Sequence, residues 1–159
     1  MAYLIDGNNL LGFLFPGHHR DPENKLKLIR RLVAFHRSKR ARIILVFDGA
    51  PSPDPAEMAL PDERFTILHP QPGGSADEII SEFLDRRPDT RHLTVVSSDR
   101  EIRTAARLAG ARTVAVREFA GELSRTLRER RTEREMDKPD LPPTPLETRL
   151  WTQVFKNRK

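Results

Sequence analysis

Three apolar runs of this chain each lead to an aspartate. Leu4-Ile5 runs into Asp6, Ile43 to Phe47 into Asp48, and Leu93 to Val96, after two serines, reaches Asp99. A buried strand reads as a short continuous apolar run, and ligand sites of parallel sheets gather at the carboxyl ends of their strands. Three carboxylates at three such ends point into one crevice. Bare carboxylates at close range repel by about 4 kcal/mol per pair at an intermediate effective dielectric. A fold that still gathers them is suited to a hard cation bound through oxygen ligands.

The rest of the chain alternates strand and helix. A strand over about residues 2–6 is followed by a polar loop holding Pro16, Gly17, His18, His19 and Arg20. Leu28, Ile29, Leu32, Val33 and His36 recur on one helical face, which predicts a helix over 22–38. The strand 43–47 ends in a loop, since Pro51, Pro53 and Pro55 exclude regular structure there. Phe65 to Leu68 reads as a short strand, and Pro70 to Gly74 breaks the chain. Ser75-Ala76-Asp77-Glu78 has the Ser-x-x-Glu form of a capping box, opening a helix that stops before Pro88. Leu93 to Val96 is a strand. Asp99 leads into a helix through Ile102, Ala105, Ala106 and Ala109, with Gly110 as its stop. Val114 to Val116 is a last short strand. This order predicts an α/β sandwich with a mainly parallel sheet.

After about residue 118 the character changes. Glu118 to Glu135 is a charge-dense helix whose apolar stripe is Phe119, Leu123 and Leu127. Its arginines are interleaved with glutamates, so it reads as self-compensated. Residues 1–136 form the expected domain. Residues 137–159 form a proline-rich arm and a tail helix, with Leu146, Leu150, Trp151, Val154 and Phe155 on one face, packing on the domain or on a partner.

The 159 residues suffice for one domain with a genuine core. The absence of cysteine excludes disulfides, thiolate metal sites and cysteine nucleophiles. No apolar stretch approaches a membrane span and the N-terminus lacks a signal-peptide pattern, so a cytoplasmic location is expected. The net charge of +5 favours polyanionic partners.

Asp77, in the first turn of its helix, is the fourth acid that can reach the crevice. Each acid also has an ordinary explanation: Asp77 complements a helix dipole, Asp99 is an N-cap, and Asp48-Gly49 is a turn. What distinguishes them is their common placement at one edge of the sheet.

Asp6-Gly7-Asn8-Asn9, Val46-Phe47-Asp48, Ser75 to Ile80 and Val95 to Ile102 resemble, in that order, the motifs of NYN-domain nucleases, and in particular the YacP-like branch of the PIN-like superfamily. The resemblance spans roughly residues 2–125. It implies a metal-dependent ribonuclease on a PIN-like three-layer α/β/α sandwich with a C-terminal helical tail. By position, Asp6, Asp77 and Asp99 match metal ligands, and Asp48 is a direct or water-mediated one. Asn9 matches the asparagine that orders the site, and Ser97 the small hydroxyl residue two places before the last aspartate. Asn8 stands where many relatives carry an aromatic residue, a change expected to affect substrate contact. Glu78 is expected in the capping box rather than as a general base.

One or two magnesium or manganese ions suit such an acid set. No P-loop sequence occurs. An aspartyl-phosphate mechanism at Asp6 is disfavoured by Asn8, since such phosphatases typically place a second aspartate there. From Lys25 to Arg42 the chain carries Lys25, Lys27, Arg30, Arg31, Arg37, Lys39, Arg40 and Arg42 with no acid, a run of one sign suited to phosphate. Expected RNA contacts are Lys27, Arg30, Arg31, Arg37, Lys39 and Arg40, joined by His18, His19 and Arg20 in the first loop and by Arg100. The same run also reads as the solvated face of a helix, and the two histidines as solvated loop residues. The expected function is an endoribonuclease acting on single-stranded or locally unpaired RNA, presented alone or by a ribosome or other ribonucleoprotein. The alternatives are a PIN-like RNA-binding adaptor without catalysis and a small-molecule metal-dependent phosphohydrolase.

Overall fold

The computed structural model describes residues 1–51, 60 and 62–137. Its five strands are β1 (Ala2–Asp6), β2 (Arg42–Val46), β3 (Phe65–Leu68), β4 (Leu93–Val96) and β5 (Arg112–Val114). They lie in the order β3-β2-β1-β4-β5, and all four pairings are parallel. The described helices are α1 (Gly7–Leu14), α2 (Pro22–Lys39), α3 (Ala76–Arg86), α4 (Arg100–Leu108) and α5 (Val116–Met136).

Alternate strand residues face opposite sides of a sheet, and here both sides are covered. Tyr3, Ile5, Ile43 and Leu45 pack with residues of α1, α2 and α5 in one core. Leu4, Ile44, Val46 and Val95 pack with those of α3 and α4 in the other. This is the three-layer α/β/α sandwich, and burial on both faces explains why the strands read as unbroken apolar runs. Tyr3, Phe35 and Phe119, with ring centroids 5.4 to 5.5 Å apart, pin α2 and α5 onto β1.

His36, on the apolar face of α2, is buried with both ring nitrogens engaged. Nδ1 lies 2.6 Å from the Ala41 carbonyl oxygen and Nε2 lies 3.1 Å from Asp62 Oδ2. The ring ties the end of α2 to the turn before β3. A buried polar group with two partners is a stable arrangement.

Two boundaries differ from expectation. The loop predicted after β1 begins instead with α1. Glycine and two asparagines are poor helix formers, but Asp6 caps this helix and Leu10 and Leu11 bury its inner face. The last strand begins at Arg112 rather than Val114, and Val116 opens α5 with its side chain buried. The proline-rich loop at 52–59 and the expected tail helix lie outside the described residues, as do all of 138–159.

Candidate metal and nucleic-acid site

Beyond β1 the chain steps through β2 and β3 to one side, then returns to place β4 and β5 on the other. Such a reversal leaves a crevice at the carboxyl ends of the two strands that flank it. Here those strands are β1 and β4. Ile5 is paired with Val96, so the residues that follow, Asp6 and Ser97, stand level at the mouth of the crevice.

Asp6 is 2% exposed and Ser97 is fully buried. Ser97 Oγ donates to Asp6 Oδ2 at 3.2 Å and accepts the Asp99 N–H at 3.1 Å. One hydroxyl therefore links the acids of two strands. Asn9 Nδ2 also donates to Asp6 Oδ2, at 2.6 Å, and the Asn9 backbone N–H donates to Oδ1 at 3.4 Å. Burial still wins: it raises the Asp6 pKa above the ordinary carboxylate value against these bonds, and the charge of Asp77 adds to the rise.

Asp48 joins β2 to two helices. Its backbone N–H donates to Asn8 Oδ1 at 2.9 Å, and its Oδ1 accepts the Ala76 N–H at 2.8 Å. The second contact seats the first turn of α3 beside the crevice and brings Asp77 with it. Partial burial raises the Asp77 pKa, and the charges of Asp99, Asp48 and Glu101 push it further. Asp77 is thus the electrostatic centre of the site, coupled to Asp6, Asp48 and Asp99 together. Asp99 caps α4, its Oδ1 accepting from the N–H groups of Glu101 (2.8 Å) and Ile102 (3.4 Å). The second oxygens of Asp48 and Asp99 are engaged by no described residue. Capping and ligand roles are compatible because they use different oxygens.

As the side chains stand, no three described His, Asp or Glu residues converge closely enough to hold one ion. The donors themselves are hard carboxylate oxygens whose mutual repulsion a divalent cation relieves. Glu78 is committed elsewhere, with Ser75, in the capping box of α3.

Several residues acquire roles that the sequence did not reveal. Asn8, whose departure from an aromatic residue is expected to affect substrate contact, accepts the Asp48 N–H and fixes the turn there. Gly7 sits where a Cβ would lie 2.6 Å from the Phe47 ring and 2.8 Å from the Val46 carbonyl oxygen, so only glycine lets α1 start so close to β2. Glu101 is a fifth acid of the crevice. Lys25 holds its ammonium 4.5 Å from the centroid of the Phe47 ring, and His69, just after β3, stacks with the same ring at 6.0 Å. The available sequence signal was position: each adjoins a strand end or opens a helix beside one.

The basic residues expected to contact RNA are spread out. Lys25 places the first turns of α2 beside the crevice. Arg37 follows twelve residues later, about 18 Å along the axis at 1.5 Å per residue. Arg30 and Arg37 line a groove against α5. Lys27 lies 3.8 Å from Glu23, and Arg31 lies over the Phe15 ring at 5.6 Å. Lys39 and Arg40 are exposed at the far end of α2. His18, His19 and Arg20 are exposed in the turn between α1 and α2, and the eight residues of α1 separate that turn from Asp6. Arg100 is exposed beside Asp99.

A parallel α/β/α sandwich with an acid-lined crevice at its switch point defines a domain built to bind at the carboxyl edge of its sheet. The chain belongs to the YacP-like NYN domain family, whose model matches residues 3–158. Two solved structures share the fold. One is Rae1 (YacP) from Bacillus subtilis, 23% identical with a TM-score of 0.65, covering 99% of this chain and 91% of that one. The other is a single-substitution variant of Rae1, 21% identical with a TM-score of 0.65, covering 89% and 87%. Among curated proteins, none matches the sequence. No described helix is long and apolar enough to cross a membrane.

Proposed function

We propose that the protein is a metal-dependent endoribonuclease that hydrolyses phosphodiester bonds of single-stranded or locally unpaired RNA, free or presented by a ribosome or other ribonucleoprotein. The observation that carries this reading is the gathering of Asp6, Asp48 and Asp99 from three strand ends, with Asp77, tied together by the Ser97 and Ala76 contacts. A fold keeps such a cluster at a cost in stability, and hard-cation binding is the use that offsets it.

Asp6, Asp77 and Asp99 would hold magnesium or manganese, with Asp48 bound directly or through water. When bound, the ion supplies positive charge for the phosphate oxygens and a water of lowered pKa. The chain's own residues prepare the site. Asn9 and Ser97 donate to Asp6, which favours its ionised form and fixes its direction. Asn8 holds the backbone of Asp48. Lys25, over the Phe47 ring next to Asp48, adds positive charge at this edge. Asp48 and Asp77 lie exposed, which supports internal cleavage.

The test compares the parent with Asp6→Asn and Asp99→Asn on pooled, end-labelled RNA in manganese, magnesium or EDTA. Metal-dependent internal cuts, lost in both variants, are the expected result. RNA binding without cutting under every metal condition would replace this reading with the adaptor. Cleavage of small phosphate esters alone would replace it with the phosphohydrolase.

A further inference from the structure

A groove of about 630 Å³ runs between α2 and α5, toward the amino edge of the sheet and away from the acids. Ile29, Val33 and Leu127 form its apolar floor. Arg30 and Arg37 line it from α2, and Arg130, Arg131 and Arg134 from α5, against the single acid Glu135. Arg130 is built into the wall, its Nη1 donating to the Ala34 carbonyl at 2.8 Å, and Arg131 pairs with Glu135 at 3.1 Å. Arg134 makes no hydrogen bond or ion pair with a described residue. Three of the six α5 arginines thus share the groove face, because helical spacing puts residues 127, 130, 131 and 134 together.

We infer that this groove is a second RNA-binding site, which holds the backbone of a strand whose other part lies in the acid crevice. The inference rests on the ribonuclease reading for the crevice, but the groove can be tested without catalysis. Charge complementarity and continuity favour RNA. On α2, Arg30 and Arg37 share the face that meets α5, and Lys25 stands five residues nearer the crevice than Arg30. A ligand whose charge repeats along the helix matches arginines spaced in this way, whereas a compact anion needs only one of them. Guanidinium groups meet phosphate through paired donors, and they and the apolar floor offer flat surfaces to unstacked bases.

The experiment measures binding in EDTA, so no cleavage occurs, using full-length protein and fluorescent single-stranded RNAs of about 3 and about 20 nucleotides. The short RNA carries too few phosphates to fill crevice and groove together. The variant is Arg131→Gln/Arg134→Gln. The control, Arg86→Gln/Arg91→Gln, removes the same net charge from exposed residues paired elsewhere on the surface. Two lost phosphate contacts should reduce the salt slope for the long RNA by about 1.4 and weaken its binding about tenfold at ~0.15 M salt. The short RNA, with few phosphates, should bind weakly throughout, and the control should bind both RNAs like the parent. A groove variant that binds the long RNA like the control overturns the inference, and an acidic protein segment becomes the better occupant. Failure of the nuclease reading appears separately, as long-RNA binding without cutting when metal is restored.

Discussion

Ser97→Ala removes a single buried oxygen that serves two acids. Its bond to the Asp6 carboxylate, at 3.2 Å in a fully buried position, is of the charge-assisted kind worth about 1.5–3 kcal/mol. Its second bond accepts the Asp99 N–H, and an orphaned donor there costs about 1–3 kcal/mol. The two bonds share one atom and do not add fully, so a loss of about 2–4 kcal/mol is expected. At roughly 2–4 °C per kcal/mol for a chain of this size, the melting temperature should fall by about 5–15 °C. The same change has a signature that simple destabilisation lacks. The Ser97 bond lowers the Asp6 pKa, and burial already holds that pKa above its ordinary value. Without the hydroxyl it rises further, so the acid limb of metal-dependent cleavage should move to higher pH. For stability, the folded state binds this proton more tightly than the unfolded state does. Asp6's stabilising contribution is therefore complete below its unfolded pKa and is lost as pH rises through the folded one. Thermal melts in EDTA across pH ~4 to ~8, paired with pH–rate profiles in manganese, measure both effects. An alanine variant that melts within about 1 °C of the parent, with an unmoved acid limb, would refute the bridge as the organiser of the site.

Two further perturbations follow from the same geometry. Gly7→Ala forces a Cβ to within 2.6 Å of the Phe47 ring and 2.8 Å of a backbone carbonyl, so it should cost about 1–3 kcal/mol in urea unfolding and depress cleavage. Gly12→Ala in the same helix meets nothing within 4 Å and should gain about 0.5–1 kcal/mol; equal behaviour of the two variants would count against the close approach. Asp77→Asn removes the charge that Asp99, Asp48 and Glu101 oppose, so in EDTA near neutral pH it should melt above the parent. It should also lose most of the stabilisation that manganese gives the parent, about 2.7 kcal/mol at a hundred times the dissociation constant, as read by calorimetry.

The sheet and its carboxyl edge were legible because burial on both faces writes β1, β2 and β4 as largely apolar runs, and an aspartate ends or closely follows each. The capping box of α3 and the stop at Gly110, which adopts φ 85, were legible because these are local signals. The start of α1 was hidden because Gly7, Asn8 and Asn9 are there for the site rather than for the helix. Gly7 lets the chain pass Phe47, Asn8 holds Asp48 and Asn9 holds Asp6. Local propensity points the wrong way wherever tertiary contacts choose the residue. The division of the basic run was equally hidden. Which arginines meet across a groove depends on how α2 and α5 pack, and α5 looks charge-balanced until it is wound into a helix.

The same three contacts that look like ordinary helix starts also explain how the acids tolerate one another. Asp6 caps α1, Asp48 accepts the N–H of the first residue of α3, and Asp99 caps α4. Three helix N-termini therefore converge on one crevice, each bringing an effective positive charge of about one half together with unsatisfied N–H donors. Their sum offsets more than one of the clustered negative charges before any cation arrives. The offset is incomplete at Asp77, which takes no backbone donor from a described residue and whose pKa is raised by its neighbours. The fold thus anchors Asp48 and Asp99 by one oxygen each and Asp6 by both, and leaves Asp77 facing the charges of its neighbours. In the proposed metal site, a bound cation would offset the charges of Asp99, Asp48 and Glu101 that raise the Asp77 pKa.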